Sequence, residues 1–545
     1  MPESNQFYPW PYLDTLFDYD DYLNRGIGKL NSLLQGTEVA IIGAGAAGLL
    51  AARLLLQLGL KPIIYEASEK IGGRLYSRPF SVSASEVPVF AEMGAMRMPL
   101  TSRIFFRYVN ELNLNTDIAF PDPGMVDTLL YYKNKVHYWK KNDTVPKMFD
   151  SVGDSWNLLI APLYKKIHKP WMEGRYDDVQ IIWQNYLDHY KGISFYEAIR
   201  KVSPFWKEEE LNRFATLGIG TGGFGPLYHV CFTDILRIIM HRWEDNQMLI
   251  KEGVQEFAHR LFSQKVQTPD GMQSLQSVNS LHLNTPISQI NLNPLTGNPE
   301  IGFYKDNKLQ IVGYKAVIVA TTTRAMQFMG LSSTDHNNQN LVSEPVQSAI
   351  RNVHLINSSK LFIRTKEKFW IKHNLPSNIQ TDELPRGVYL LDYPQTKNGV
   401  VCVSYTWGDD SAKLSGLKPD ERFRQFKQII HKISPEIASH LIPLNDEILS
   451  IDWQSEPFYY GAFKLNLPGH EDETADLFYQ YLSVLDSRTD KGIYLAGDSV
   501  SMAGGWIEGA LHTAINAATA AAFRCGASIS KNSPLDINPK RYKYD

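Results

Sequence analysis

At 545 residues, with 43% hydrophobic and 21% charged side chains, the chain has an ordinary globular composition and is too long for one hydrophobic core. A formal charge of −3 gives no electrostatic reason to expect nucleic acid or an anionic membrane as partner. Three scattered cysteines, Cys231, Cys402 and Cys525, and the lack of an HExxH string leave no expected disulfide framework and no expected metal.

The N-terminus, MPESNQFYPWPYLDTLFDYDD, is acidic and aromatic and lacks the basic and apolar regions of a signal peptide. No stretch holds about 20 uninterrupted apolar residues, so a cytoplasmic protein without a membrane span is expected.

Glu38 to Ser68 reads EVAIIGAGAAGLLAARLLLQLGLKPIIYEAS. Val39 to Ile42 has the length of a buried parallel strand. Gly43, Gly45 and Gly48 complete a G-x-G-x-x-G, and Ala46 to Leu58 predicts an Ala- and Leu-rich helix that Gly59 stops. Pro62 to Tyr65 predicts a second strand, ending at Glu66. This order suits a dinucleotide. Gly43 makes the tight turn, Gly45 admits the pyrophosphate to the backbone, and Gly48 lets the helix pack on the strand. The helix N-terminus faces the phosphate charge, and Glu66 lies where an acid binds the adenosine ribose. The motif alone does not separate NAD from FAD.

Gly72-Gly73-Arg74 adds two glycines for close backbone approach and a cation for phosphate. In Phe90 to Pro99, FAEMGAMRMP, Arg97 sits among Met93, Ala95, Met96 and Met98. It is either an arginine snorkelling from an apolar strand or a guanidinium clamp for a carboxylate. The succession GAGAAG, YEAS and IGGR resembles the flavin-containing amine oxidase family, and FAEMGAMRMP resembles its bacterial L-amino acid oxidase and amino acid 2-monooxygenase group. The resemblance implies FAD as cofactor, with Arg97 on the substrate α-carboxylate, and so an amino acid rather than an amine. It also places Ala46, Ala47, Ala67, Gly73, Met96, Arg97 and Val254 against the cofactor.

From Thr101 the pattern turns helical, with Ile104, Phe105, Tyr108, Val109 and Leu112 on one face and Thr101 or Ser102 as N-cap. Much of 140–245 reads as helices, and residues 218–223, GIGTGG, resemble a glycine string of the same group. MLIKEGVQEF from Met248 resembles the segment where the family chain re-enters the FAD domain, and Asn284 to Ile290 and Ala316 to Ala320 read as strands. NSSKLF puts Lys360 in a β-like segment, either as an edge-strand lysine or, by the resemblance, as the lysine that holds a water beside the flavin. RGVYLLDYP, GVVCVSYTWGDD and DWQSEPFYYGAFKLNLPG alternate like strands of an antiparallel sheet, with Trp407, Tyr459 and Tyr460 as candidate substrate walls.

Gly492 to Ala521 predicts a strand ending at Ala496, then Gly497-Asp498, then a long helix from about Trp506. Its N-terminus would stabilise negative charge on reduced flavin. The stretch resembles the family's AGD…GWxEGAxxTAxNA signature, which implies Asp498, Trp506 and Ile507 at the FAD and Trp506 as a substrate wall. The expected fold is α/β. A discontinuous Rossmann-like FAD domain (36–103, 245–325 and 485–528) surrounds a mainly helical domain (104–244) and a mixed-sheet substrate domain (326–484). An arm (1–35) and a tail (529–545) lie outside them. The expected activity is FAD-dependent oxidation of an L-amino acid by oxygen, with Arg97, Lys360 and Trp506 as the working residues. An oxidase giving 2-oxo acid is favoured over a 2-monooxygenase giving the amide; an NAD(P)-dependent dehydrogenase and a non-catalytic FAD-binding scaffold are the rivals. The stretch Phe224 to Tyr228 lacks the acid of lysine-active members, so large apolar or aromatic substrates are expected. A homodimer or higher homo-oligomer is expected.

Overall fold

The computed structural model describes residues 12–81, 87–217, 225–243 and 246–537. A five-stranded sheet runs in the order Leu281–His282, Lys61–Tyr65, Glu38–Ile42, Val317–Val319, Ile493–Leu495, every pair parallel. Its strands come from the start, middle and end of the chain, as a discontinuous Rossmann-like unit requires. Strand Glu38–Ile42 is buried on both faces. Val39 and Ile41 enter the core under the helices, and Ala40 and Ile42 enter the opposite one.

Two helices of the first of those cores, Ala46–Leu58 and Ile507–Arg524, pack against each other. Their small residues allow the close approach. The first ends at Gly59 in the left-handed conformation, φ +95°. Over the other face lies an antiparallel layer of Ile287–Leu292, Pro299–Lys305 and Lys308–Gly313. The strand expected from Asn284 thus begins three residues later, because Asn284 takes φ 51°.

A second, seven-stranded sheet has the order Ile448–Asp452, Ser358–Thr365, Gly399–Trp407, Gly387–Leu391, Asn378–Thr381, Thr128–Tyr132, Lys135–Trp139. It is antiparallel apart from the pair Asn378–Thr381 and Thr128–Tyr132. The span 104–244, expected to be mainly helical, therefore also gives the hairpin that edges this sheet. Its helices Asp150–Met172, Tyr176–His189, Phe195–Val202, Glu208–Leu217 and Phe232–Met240 surround a core of their own.

Lys360 is no edge lysine. Its strand, Ser358–Thr365, is paired on both sides and buried throughout. Leu361 and Ile363 pack on one face with the Pro419–Ile433 helix. Period two sends Phe362 to the opposite core, beside Met93 and Met96, and Lys360 to the same face. The segment 452–469 departs from expectation. Apart from Asp452, which ends the strand Ile448–Asp452, and Phe463–Lys464, it is turn and loop rather than sheet, with Phe458 and Tyr460 at φ 71° and 57°.

The arm straps its own chain. Tyr12 Oη donates to Glu508 at 2.6 Å, Tyr19 Oη to Asn516 at 3.0 Å, and Tyr22 Oη meets Thr519 Oγ1 at 3.1 Å. Those partners share one face of the Ile507–Arg524 helix. Further along the chain, Gly28–Lys29 pairs with Ser528–Ile529. Among the described residues, no helix is long and apolar enough to cross a membrane, and no group of His, Cys, Asp or Glu could hold a metal.

Candidate functional site

A cavity of about 310 Å³ runs from the glycine loop of the parallel sheet to the buried face of the seven-stranded sheet. At its first end, Gly43 sits at φ +103°, where a Cβ would lie 2.5 Å from Ala320 O. A Cβ on Gly48 would lie 1.9 Å from Gly43 O, so Gly48 lets the helix rest on the strand and does not itself line the cavity. Gly45 is different. The nearest atom to a Cβ there is 3.9 Å away, so the space in front of it belongs to the cavity. The helix that starts at Ala46 has no side-chain cap, and its first-turn N–H groups are available to an anion. This cradle fits a dinucleotide pyrophosphate.

Glu66 Oε2 accepts from Ala44 N at 2.7 Å, and Oε1 accepts from Ser68 N and Oγ at 2.9 and 2.8 Å. The carboxylate therefore shapes the glycine loop, and Oε2 keeps a lone pair for a ribose hydroxyl. Arg74, expected as a phosphate cation, donates to Asp498 Oδ1 and to Ala462 O. Asp498 Oδ2 in turn accepts from Gly505 N at 3.3 Å. The pair ties the turn after the glycine loop to the turn before the last helix. Ala46, Ala47, Ala67, Gly73, Met96 and Ile507 also line the cavity. Val254 does not, because its N–H donates to Glu92 Oε1 at 3.0 Å behind the wall.

The far end gathers Arg97, Lys360, Trp407 and Trp506. Lys360 is buried, with Nζ donating to Glu92 O at 3.0 Å and Gly94 O at 2.5 Å, 4.6 Å from the Tyr405 ring centre. Burial holds its pKa down to about 8. Burial also lifts Glu92 to about 7, against the hydrogen bonds from Ser77 Oγ (2.7 Å) and Val254 N. Arg97 Nη1 donates to Gln247 Oε1 at 3.0 Å, and its guanidinium carbon lies 5.9 Å from the Phe120 ring centre. Trp506 is the N-cap of the Ile507–Arg524 helix, which has no side-chain cap, and its ring packs on Trp243 at 5.6 Å.

Tyr459 and Tyr460 line the same cavity but on the glycine-loop side. Tyr459 packs on Trp453 at 5.1 Å, and burial raises its phenol pKa with the Glu66 carboxylate adding to the rise. Tyr460 packs on Phe328 at 4.8 Å. The Glu66 interaction places Tyr459 beside the dinucleotide cradle. Phe463, overlooked in the sequence, stands instead at the far end. It lies edge-on to Trp407 at 5.9 Å, and a Cβ on Gly505 would be 3.1 Å from its ring. Leu227, Ile238, Tyr405 and Leu465 complete this apolar end. Phe463 lies in a segment whose strand-like alternation disguised it, and Gln247 carried no signal. The GIGTGG string and Phe224 lie outside the described residues.

The sequence model of the family described as flavin containing amine oxidoreductase matches residues 46–522. A tryptophan 2-monooxygenase of Pseudomonas savastanoi is 35% identical over 570 residues, covering 98% of this chain and 99% of the relative. An L-amino-acid oxidase of Siganus canaliculatus is 24% identical over 529 residues, covering 92% and 88%. The solved structure of putrescine oxidase bound to putrescine superposes with a TM-score of 0.65 at 16% identity, over 90% of this chain and 98% of that one. That last likeness concerns the fold.

Proposed function

Because this chain belongs to the flavin-containing amine oxidoreductase family and is an FAD enzyme, we propose that it is an L-amino acid 2-monooxygenase acting on large aromatic substrates. The observation that carries the reading is the meeting of Arg97 and Lys360 in a cavity end walled by Trp407, Phe463 and Trp506. Bound FAD supplies the electron acceptor and the site of reaction with oxygen. The chain supplies the geometry. Arg97 takes the α-carboxylate as a charge-assisted pair and so fixes which face of Cα is presented. The aromatic walls take an indole or phenyl side chain and exclude water. Lys360 spends two N–H bonds on carbonyls, and its depressed pKa lets Nζ hold or release a proton at the cavity wall near neutral pH.

Two features favour an aromatic substrate over a basic one. Among the described residues, the carboxylates that line the cavity are Glu66 and Asp498, and both serve the dinucleotide end. Among the described residues, the end that holds Arg97 and Lys360 is walled mainly by aromatic and aliphatic side chains. The balance between outcomes rests on likeness, since 35% identity over the whole length favours the monooxygenase above the oxidase that the sequence motifs suggested. In the monooxygenase outcome, amino acid and O2 give amide, CO2 and water. In the oxidase outcome, amino acid, O2 and water give 2-oxo acid, ammonia and hydrogen peroxide.

Product analysis by mass spectrometry after turnover of L-tryptophan and L-phenylalanine tests the proposal. Amide and CO2 as main products support it; 2-oxo acid with stoichiometric hydrogen peroxide refutes the monooxygenase. Turnover of lysine or arginine alone refutes the aromatic pocket.

A further inference from the structure

We propose that Gln247 is a positioning residue that fixes the Arg97 guanidinium and ties it to the aromatic wall of the same cavity. The inference rests on the reading of the far end as an L-amino acid site. Gln247 opens the central strand of a three-stranded sheet, Met98–Pro99, Gln247–Leu249 and Ile118–Ala119, and stands opposite Pro99, two residues after the arginine. It is 1% exposed.

Both ends of its amide are engaged. Nε2 donates to Trp243 O at 2.9 Å, and Oε1 accepts from Arg97 Nη1 at 3.0 Å. The orientation is forced by chemistry. A main-chain carbonyl can only accept and a guanidinium can only donate, so the amide nitrogen must face Trp243 and its oxygen must face Arg97. The backbone does further work, because Gln247 O accepts from Phe120 N at 2.8 Å and the Phe120 ring sits against the guanidinium. On the other side, the Trp243 ring packs on Trp506. One buried side chain thus joins the group that takes the substrate carboxylate to the wall that takes its side chain.

A neutral amide suits this place. It orients the arginine through a hydrogen bond and adds no negative charge that would compete with an incoming carboxylate. Glutamate at 247 would add that competitor, and methionine would keep the volume while removing both hydrogen bonds.

The test uses full-length, FAD-loaded protein and two indole ligands without an α-amine, which cannot be oxidised: indole-3-propionate and its amide. Binding is read from the perturbation of flavin absorbance. Gln247→Glu is expected to weaken the carboxylate ligand roughly ten- to hundredfold, and Gln247→Met about three- to tenfold. The amide ligand and the FAD content should stay within about twofold of wild type, which a merely structural role would not allow. Equal weakening of both ligands, or weakening of neither, overturns the proposal. If wild type binds indole-3-propionate and the variants match it, Gln247 falls and the functional reading stands. If wild type neither binds it nor turns over any L-amino acid, the functional reading falls and takes this inference with it.

Discussion

Replacing Lys360 by methionine separates the chemistry of the site from its stability. The side chain is buried, and its pKa is held at about 8 against an ordinary 10.5. That difference corresponds to about 3 kcal/mol of cost for carrying the charge in the folded state. The sign follows from proton counting. Between pH 8 and 10.5 the unfolded chain holds the proton and the folded chain has lost it, so the lysine's contribution to stability rises with pH through that window. Methionine has no such dependence. The stability of wild type minus that of Lys360→Met should therefore grow by about 3 kcal/mol from pH 8 to 10.5, and stay flat below pH 8. Subtraction removes the titration of other groups, including the buried Lys464. Near neutral pH the two hydrogen bonds to Glu92 O and Gly94 O offset most of the charging cost, so the variant should fold. Its kcat should fall about 10²- to 10⁴-fold, the span of a lost proton-transfer group. Urea denaturation of the FAD-loaded proteins across that pH range gives the first quantity and stopped-flow flavin reduction the second. A difference that does not change with pH, or a variant with wild-type kcat, would refute the reasoning.

Other outcomes follow from the same geometry. Glu92, lifted to about 7 from 4.5, binds its proton more tightly when folded, so its contribution falls as pH rises from 4.5 to 7; Glu92→Gln should remove that slope in denaturation series. Gly45→Ala should leave a folded protein that loses FAD on gel filtration, since its Cβ enters open cavity. Gly48→Ala should yield little folded protein, with a Cβ 1.9 Å from Gly43 O; equal behaviour of the two variants would contradict the cradle. Tyr12→Phe removes a 2.6 Å hydrogen bond to Glu508, a fully buried carboxylate that also caps Ile104 N and Phe105 N. It should destabilise by about 1–3 kcal/mol, measured as a shift in urea midpoint at fixed FAD; no shift would mean that the arm is dispensable.

The glycine loop was legible because every feature of it is local. A strand of five residues, a turn needing positive φ at Gly43, a helix closed by Gly59 and an acid at the next strand end are each set by neighbours along the chain. The C-terminal strand and helix were readable for the same reason, with the helix starting at Ile507 behind Trp506. The wall residues were less so. The alternation in 452–469 suggested a strand, but positive φ at Phe458 and Tyr460 makes the stretch before Phe463 a turn, which sets Tyr459 beside Glu66 and leaves Phe463 near Trp407. A backbone reversal of this kind does not show in hydrophobic period.

The sequence by itself determined the cofactor fold, the dinucleotide cradle and the presence of an isolated arginine and a β-segment lysine, because short-range propensity, glycine conformation and motif order carry those. Only the tertiary structure decided which residues face one another across the cavity. Lys360 meets Glu92 and Gly94, and Arg97 meets Gln247, over separations of more than 100 residues. Such contacts are fixed by how two sheets and a three-stranded bridge pack, and by the burial that follows. That burial, which no local pattern encodes, is what depresses the lysine pKa.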